Sequence, residues 1–408
     1  MRKIITFLGT KSRPARYSWQ GKEYEGRLFT EVLREITEYD EMLVLATEDA
    51  AKTSWPILEE LNDPRIHKID VPTAKSPEDM WRIFTLVLEQ VDERDHVIFD
   101  ITHSLRYLPF LSFLFAAFLK TARDVKIEAI YYGALELSNE NQAAPVIDLS
   151  EFITMLDWIN ATDQFIQTGD ASRLADLLNP ADGNKRALKG ASNLLKKISR
   201  AAFLCQPFDL RDASGKLSEV LKDAEKEYSI SARPFSTLSQ RVVDSFEPFS
   251  CSLPDSDFSL LVCEYQMIEW YYQHEQLIQA VTLAREWLID AVTWRLSQPL
   301  DYTRENRMRI EQAISGIAKI GGPKDDEGLD KFSVSDLNRF GLELYQWGDR
   351  DLLRSLWEKL SYVRNRLDHA QHQKGEMKIE RLFKKADEAH SLLQQLAKKW
   401  GITGQEPE

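Results

Sequence analysis

Arg364 and His369 stand in the segment Val363-Arg-Asn-Arg-Leu-Asp-His-Ala370, separated by four residues, with Asn365 directly after the arginine. An imidazole titrating near neutrality moves protons, and a guanidinium steadies a phosphoryl group whose charge is rising. Together they suit RNA cleavage by attack of a 2′-hydroxyl on the adjacent phosphate. Spacing alone does not assemble them. In an unbroken α-helix the two positions lie about 140° apart, at about 100° per residue. Either the helix is distorted there or a second subunit completes the site. The competing reading is a surface arginine and a helix-end histidine that pair with Asp368 or Glu376.

A second set of polar residues closes apolar runs in the first third of the chain. The first run ends in Gly9-Thr10-Lys11-Ser12, the second in Thr47-Glu48-Asp49, and a later one in Asp100-Ile-Thr102-His103-Ser104-Leu105-Arg106. Thr102 or Ser104 can cap the following helix and leave its free backbone N–H groups aimed at an anion. His103 and Arg106 add donors for a phosphate or a base. Ordinary turn and capping roles for Asp100 and Thr102 remain the alternative. Neither a Gly-x-Gly-x-x-Gly fingerprint nor a Gly-x4-Gly-Lys-Ser/Thr loop is present, so neither a dinucleotide cofactor nor a P-loop is indicated.

These polar ends need strands to carry them. Residues 3–8, 42–46, 67–71, 97–101 and 127–132 read as strands, and 24–38, 49–61, 77–92 and 104–122 as amphipathic helices between them. The alternation predicts a mainly parallel sheet covered on both faces, a Rossmann-like α/β domain that binds ligands beyond the carboxyl ends of its strands. The apolar run Leu108–Leu119 is too short to span a bilayer, which needs about 20 residues. It reads as a buried core helix, with a subunit interface as the other use. A polar turn segment, 137–145, precedes an all-α half with helices over 186–204, 214–228, 256–274, 275–297, 303–318, 333–346, 350–367 and 376–399. Residues 234–254, rich in Ser, Phe and Pro, are expected to contain a loop. The expected domains are therefore 1–148, a helical connecting region over 149–254, and a helical bundle over 255–408.

Bulk properties narrow the partners. The 408 residues carry a net charge of −13, which argues against a surface built for nonspecific nucleic-acid binding. Residues 350–385 run the other way, with ten Lys/Arg against five Asp/Glu. Cys205, Cys251 and Cys263 show no metal-ligand spacing, so a zinc site or a disulfide framework is not expected, and a reducing cytoplasm fits. The acidic pairs Asp325-Asp326 and Asp255/Asp257 have no partnering ligand set, and no metal site is expected. Met1-Arg-Lys leads into a strand rather than a signal sequence. Trp270, Tyr271, Tyr272, Trp287 and Trp294 read as helical core residues, and Tyr362 as a neighbour of the arginine. His67 and His96 read as structural, and His274 and His390 as surface residues.

Asp100-Ile-Thr-His-Ser-Leu-Arg-Tyr-Leu-Pro109 after an apolar strand, with Gly9-Thr10 closing the first strand, resembles the nucleotide-sensing CARF domain of CRISPR-associated proteins. The nearest likeness is to the Csx1/Csx2 (TM1812-like) group of type III systems. Trp158-Ile-Asn-Ala-Thr-Asp-Gln-Phe-Ile-Gln-Thr-Gly-Asp170 resembles the start of that group's helical half, and Arg364-Asn365-x3-His369 its HEPN ribonuclease motif. Many relatives carry Gly where Ser104 stands, which puts close backbone approach of a ligand there in doubt. The resemblance implies a homodimer, or a higher oligomer, whose two motifs face each other across a cleft. His369 would handle protons, Arg364 hold the phosphate and Asn365 orient them. No metal or cofactor is implied, and single-stranded RNA would be cut to a 2′,3′-cyclic phosphate and a 5′-hydroxyl. The implied activator is cyclic oligoadenylate, cyclic tetra-adenylate before other rings. It would be held by Gly9, Thr10, Lys11, Ser12, Thr47, Asp100, Thr102, His103, Ser104, Leu105 and Arg106. Two alternatives stand beside it: a non-catalytic sensor that recruits a partner protein, and a sensor that degrades its own ring.

Overall fold

The computed structural model describes residues 1–103, 108–139, 141–179, 185–228, 233–250, 256–320, 332–368 and 378–403. These fall into two compact units, Met1–Asp157 and Trp158–Glu408.

The first unit is built on an eight-stranded mixed sheet. Its strands are β1 (Arg2–Phe7), β2 (Ala15–Trp19), β3 (Lys22–Gly26), β4 (Glu41–Ala46), β5 (Ile66–Asp70), β6 (His96–Asp100), β7 (Lys126–Gly133) and β8 (Ala144–Asp148). The spatial order is β3-β2-β8-β7-β6-β1-β4-β5. Strands β5, β4, β1, β6 and β7 are mutually parallel, whereas β8 runs antiparallel to β7 and β3 antiparallel to β2. Helices α1 (Phe29–Ile36), α2 (Glu48–Thr53), α3 (Trp55–Glu59), α4 (Pro77–Glu89) and α5 (Leu108–Arg123) connect them.

Alternation along the parallel strands makes two cores. Ile5, Phe7, Leu43, Leu45, Val97 and Phe99 face one side and pack with Ile83 and Val87 of α4 and Phe115 and Leu119 of α5. Ile4, Met42, Val44 and Ile98 face the other and pack with Phe29, Val32 and Leu33 of α1 and Leu58 of α3. Both faces are buried, so these strands read as nearly continuous apolar runs.

Four expectations are corrected here. The sheet is larger and more mixed than the five strands legible in the sequence, because β2, β3 and β8 extend one edge. The helix placed at 24–38 gives up its start to β3, and the turn segment 137–145 runs into β8. Helix α5 is not buried all round: Ser112, Phe115, Ala116 and Leu119 face the core while Phe110, Leu114 and Phe118 are 67%, 46% and 45% exposed.

The second unit is helical among the described residues. It continues α6 (Glu151–Thr168), then α7 (Ser172–Leu178), α8 (Arg186–Phe203), α9 (Pro207–Ser214), α10 (Leu217–Glu225) and α11 (Arg233–Ser250). There follow α12 (Asp257–Gln273), α13 (Leu277–Arg295), α14 (Arg304–Lys319), α15 (Arg339–Tyr345), α16 (Arg350–Asp368) and α17 (Ile379–Lys399). Of the stretch 234–254 expected to contain a loop, residues 234–250 belong to α11, because Phe235, Val242, Phe246 and Phe249 recur at helical spacing and are all buried, and 251–254 lie outside the described residues. Trp270, Tyr271 and Trp287 are core residues, with the Trp287 indole donating to the Leu261 carbonyl at 2.8 Å.

His274 and His390 are not surface residues. His274 stacks on Trp270 and bonds the Trp270 and Ile166 carbonyl oxygens at 2.7 and 3.0 Å. His390 stacks on Tyr272 and bonds Glu269 at 2.7 Å. Cys263 is disulfide-bonded, against the expectation of unpaired thiols. Pairing depends on the approach of two Cβ atoms in space, which spacing along a chain does not report.

Buried in this unit is a cluster of charges. Arg307 pairs with Asp290 and, at 2.6 Å, with Glu286, while Glu264 lies 6% exposed beside them. Burial, reinforced by Asp290, pushes the Glu264 carboxyl up to about 8.

No helix among the described residues is long and apolar enough to cross a membrane.

Candidate functional site

Five parallel strands present their carboxyl ends at one edge of the sheet, and the order reverses between β1 and β6. That reversal opens a crevice where a ligand meets several loops at once. A pocket of about 330 Å³ lies there. Gly9, Thr10 and Lys11 line it after β1, Thr47 after β4, and Thr102 and His103 after β6. The structure thus brings together six of the residues singled out from the sequence. Asp49, named at the second polar strand end but not assigned to the ligand, also lines it, as does the stretch Val71-Pro-Thr-Ala74 after β5, which sequence reasoning passed over. The available signal was positional: 67–71 was read as a strand of the same parallel set, so its following loop had to reach this edge.

Close approach shapes the pocket wall. A Cβ built on Gly9 would sit 3.3 Å from His103 Cβ and 3.4 Å from the His103 carbonyl oxygen, so a side chain there would push the two loops apart. The His103 ring is fixed from the far side, where its Nε2 accepts the Phe29 backbone N–H at 3.0 Å. That bond leaves the ring proton on Nδ1. Burial holds the imidazole below its ordinary pKa, opposed by the charge of Asp100, and keeps the ring neutral.

Asp100 forms the floor rather than the wall. It is fully buried, and its Oδ2 accepts the Thr6 hydroxyl at 2.6 Å while Oδ1 accepts the Thr102 backbone N–H at 2.8 Å. The Thr102 hydroxyl in turn accepts the Gly133 backbone N–H at 2.8 Å. Thr102 therefore ties β6 to β7 instead of capping the next helix, and Asp100 makes the turn anticipated as its alternative role. Burial pushes the Asp100 carboxyl up, against the Thr102 and Thr6 hydrogen bonds that favour the ionised form. Thr47 caps α2 by accepting the Ala50 N–H at 3.4 Å. Ser12 is exposed and does not line the pocket. Ser104, Leu105 and Arg106 lie outside the described residues.

In the helical unit, Arg364 and Asn365 sit near the carboxyl end of α16. Arg364 is half-exposed and its Nε lies 2.9 Å from Asp368 Oδ2, one turn on. Asn365 is exposed, and the Arg366 guanidinium lies 5.7 Å from the Tyr362 ring centroid, so that ring belongs with Arg366 rather than Arg364. Helix α16 is unbroken through Asp368, while His369, His372, Glu376 and the segment 321–328 lie outside the described residues.

Comparison with known proteins places the chain beside CRISPR-associated ones. Residues 154–250 match the family model described as CRISPR-associated protein MJ1674, second domain. CRISPR-associated protein MJ1674 of Methanocaldococcus jannaschii is 24% identical over 297 residues, 72% of this chain. The chain spans 40% of that relative's length. Among solved structures, Enterococcus italicus Csm6 bound to cyclic hexa-2'-fluoro-hexa-dAMP is similar over 100% of this chain and 96% of its own, at 9% identity and a TM-score of 0.44. That last likeness is too distant to carry an argument.

Proposed function

We propose that this chain is a cyclic oligoadenylate-activated, metal-independent endoribonuclease of type III CRISPR defence, a cytoplasmic homodimer with CARF and HEPN functions on one polypeptide. The observation that carries the reading is the pocket at the strand ends, where Gly9, Thr10, Lys11, Thr47, Thr102 and His103 converge above a fixed floor. The strand order β5-β4-β1-β6-β7 supports a Rossmann-like sensor, and the match over residues 154–250 supports a distinct middle region between sensor and effector. The CRISPR-associated relative supports the setting. We assign cyclic tetra-adenylate to two such pockets related by a two-fold axis, since a symmetric ring suits a symmetric pair. Ser104, Leu105 and Arg106 complete the sensor's site, with Asp100 beneath it and Ser12 outside the pocket. Ring binding shifts the equilibrium toward the cutting state by the difference in its affinity for the two states. His369 handles protons, Arg364 holds the scissile phosphate, and Asn365 orients them, with the second copy supplying the facing motif.

The test is a fluorescently quenched RNA in excess EDTA with cyclic tri-, tetra- or hexa-adenylate in separate reactions. Cutting with one ring only, lost in His369→Ala while ring binding persists, is the expected result. Cutting retained in His369→Ala overturns the catalytic assignment.

A second reading, a sensor that binds the ring and recruits a partner without cutting, is favoured by the Arg364–Asp368 ion pair, which engages the guanidinium through Nε. Ring binding with no RNA turnover under any condition selects it.

A further inference from the structure

Helix α8 carries five basic side chains and no acidic one, in a chain of net charge −13. Arg186, Lys189, Lys196, Lys197, Arg200 and Phe203 fall within an arc of about 120° at about 100° per residue. The opposite face, with Leu188, Ala191, Leu195 and Ile198, is buried in the helical core. Lys196 pairs with Asp176 and Lys197 with Asp209, each at 2.9 Å. Among the described residues, Arg186, Lys189 and Arg200 make no ion pair. At the end of this basic face Phe203 is 76% exposed, an unusual place for a phenyl ring beside a well-filled core.

Phe203 and Arg200 stand at a pocket of about 670 Å³, apart from the strand-end site and the Arg364 motif. Three glutamines line it. Gln276 Nε2 donates to the Thr168 carbonyl at 2.7 Å, Gln279 Nε2 to the Phe203 carbonyl at 3.3 Å, and Gln164 Nε2 to Asp170 at 2.9 Å. Each amide keeps its carbonyl oxygen as an acceptor.

We propose that the exposed face of α8 is a track for single-stranded RNA, with one base stacked on Phe203 and its edge read by the glutamine amides. Cations recurring along a helix follow a phosphate backbone, and an exposed ring offers a base a flat face. The amide oxygens accept N–H groups, of which cytosine's exocyclic amine offers two and uracil's N3–H one, so the pocket favours cytidine over uridine. The apolar face of α8 is spent inside the fold, which excludes the partial burial that a membrane-surface helix needs. The inference goes beyond the nuclease reading, because binding here requires neither Arg364 nor His369.

The experiment measures fluorescence anisotropy of 5′-labelled oligocytidylate and oligouridylate on the full chain carrying His369→Ala, so that RNA is not consumed. Oligocytidylate should bind more tightly. Phe203→Ala should weaken it about tenfold, the order of one lost base stack. Lys189→Ala with Arg200→Ala should lower the slope of log affinity against log salt by about 1.4, or about 0.7 per lost contact on a single strand. Unchanged affinity in Phe203→Ala together with an unchanged slope overturns the track. So does displacement of the RNA by poly-glutamate as effectively as by unlabelled oligocytidylate, which marks a face for an acidic protein. RNA binding lost through α8 in a chain that never cuts leaves the track standing and removes the nuclease reading. RNA binding lost in Arg364→Ala but kept in every α8 variant does the reverse.

Discussion

His103 Nε2 lies 3.0 Å from the Phe29 backbone nitrogen, so a histidine in the loop after β6 satisfies a free N–H at the start of α1. The bond crosses the sheet's carboxyl edge and fixes which ring nitrogen keeps its proton. His103→Ala removes a donor facing the pocket and orphans the Phe29 N–H. Ring affinity should fall about tenfold and stability by about 1 kcal/mol, the usual cost of one unmade hydrogen bond. Calorimetric titration with cyclic tetra-adenylate and a thermal melt check the two effects separately.

Gly9→Val tests the same wall by steric means. With Cβ already 3.3 Å from His103 Cβ, a branched side chain must displace the β6 loop. Ring binding should be lost and ring-dependent RNA cutting with it. If cutting persists at the same ring concentration, the pocket is not the sensor.

Arg364 and Asp368 separate the catalytic from the surface reading. A half-exposed i,i+4 pair contributes about 0.3–0.5 kcal/mol, so Arg364→Ala should barely move the melting temperature. As a phosphate-holding residue, its loss should lower single-turnover cutting at least ~100-fold. Asp368→Asn frees the guanidinium and should preserve or raise cutting. A loss in Asp368→Asn equal to that in Arg364→Ala would instead mark the pair itself as the functional unit.

Stability should decline with rising pH because of Glu264. Its folded-state carboxyl titrates at about 8 rather than near 4.5, so the folded chain holds a proton that the unfolded chain has released. The associated stability is complete below pH ~4.5 and is lost as pH rises through about 8. Glu264→Gln should flatten the decline of melting temperature between pH ~5 and ~9. An unaltered pH profile in this variant would show that another group carries it.

Phe110, Leu114 and Phe118 form the exposed face of α5, and we assign it to contact between two copies. Phe110→Asp with Leu114→Asp should shift the chain to a monomer by light scattering and abolish ring-dependent cutting. A dimer that survives both substitutions places the interface elsewhere.

Strands β1, β4 and β6 were legible because each is a short apolar run buried on both sides, whereas β5, with no buried residue, showed only Ile66 and Ile69 among polar neighbours. The edge strands were not: β3 is Lys22-Glu-Tyr-Glu-Gly26, mostly exposed and charged, and β8 contains Pro145. Gly9, Thr47 and His103 could be picked out because polar residues directly follow legible strands. Val71–Ala74 could not, since nothing in Val-Pro-Thr-Ala carries distinctive chemistry and only its place in the sheet brings it to the pocket. The phase difference between Arg364 and His369 was readable from helix geometry, whereas His390 was misplaced because its partners Tyr272 and Glu269 are distant in sequence, and His274 because the Ile166 carbonyl it bonds is.

The link from Thr6 through Asp100 and Thr102 to Gly133 joins the ends of three strands beneath the pocket. Thr6, Asp100 and Thr102 can scarcely be exchanged one at a time, since each substitution strands a polar partner, and a Cβ on Gly133 would sit 2.8 Å from the Tyr17 ring. A rim residue such as Lys11 carries no such obligation to the floor. Descendants of this chain could therefore retune which ligand they answer to by drifting along the rim, while the platform that positions the rim stays under constant selection.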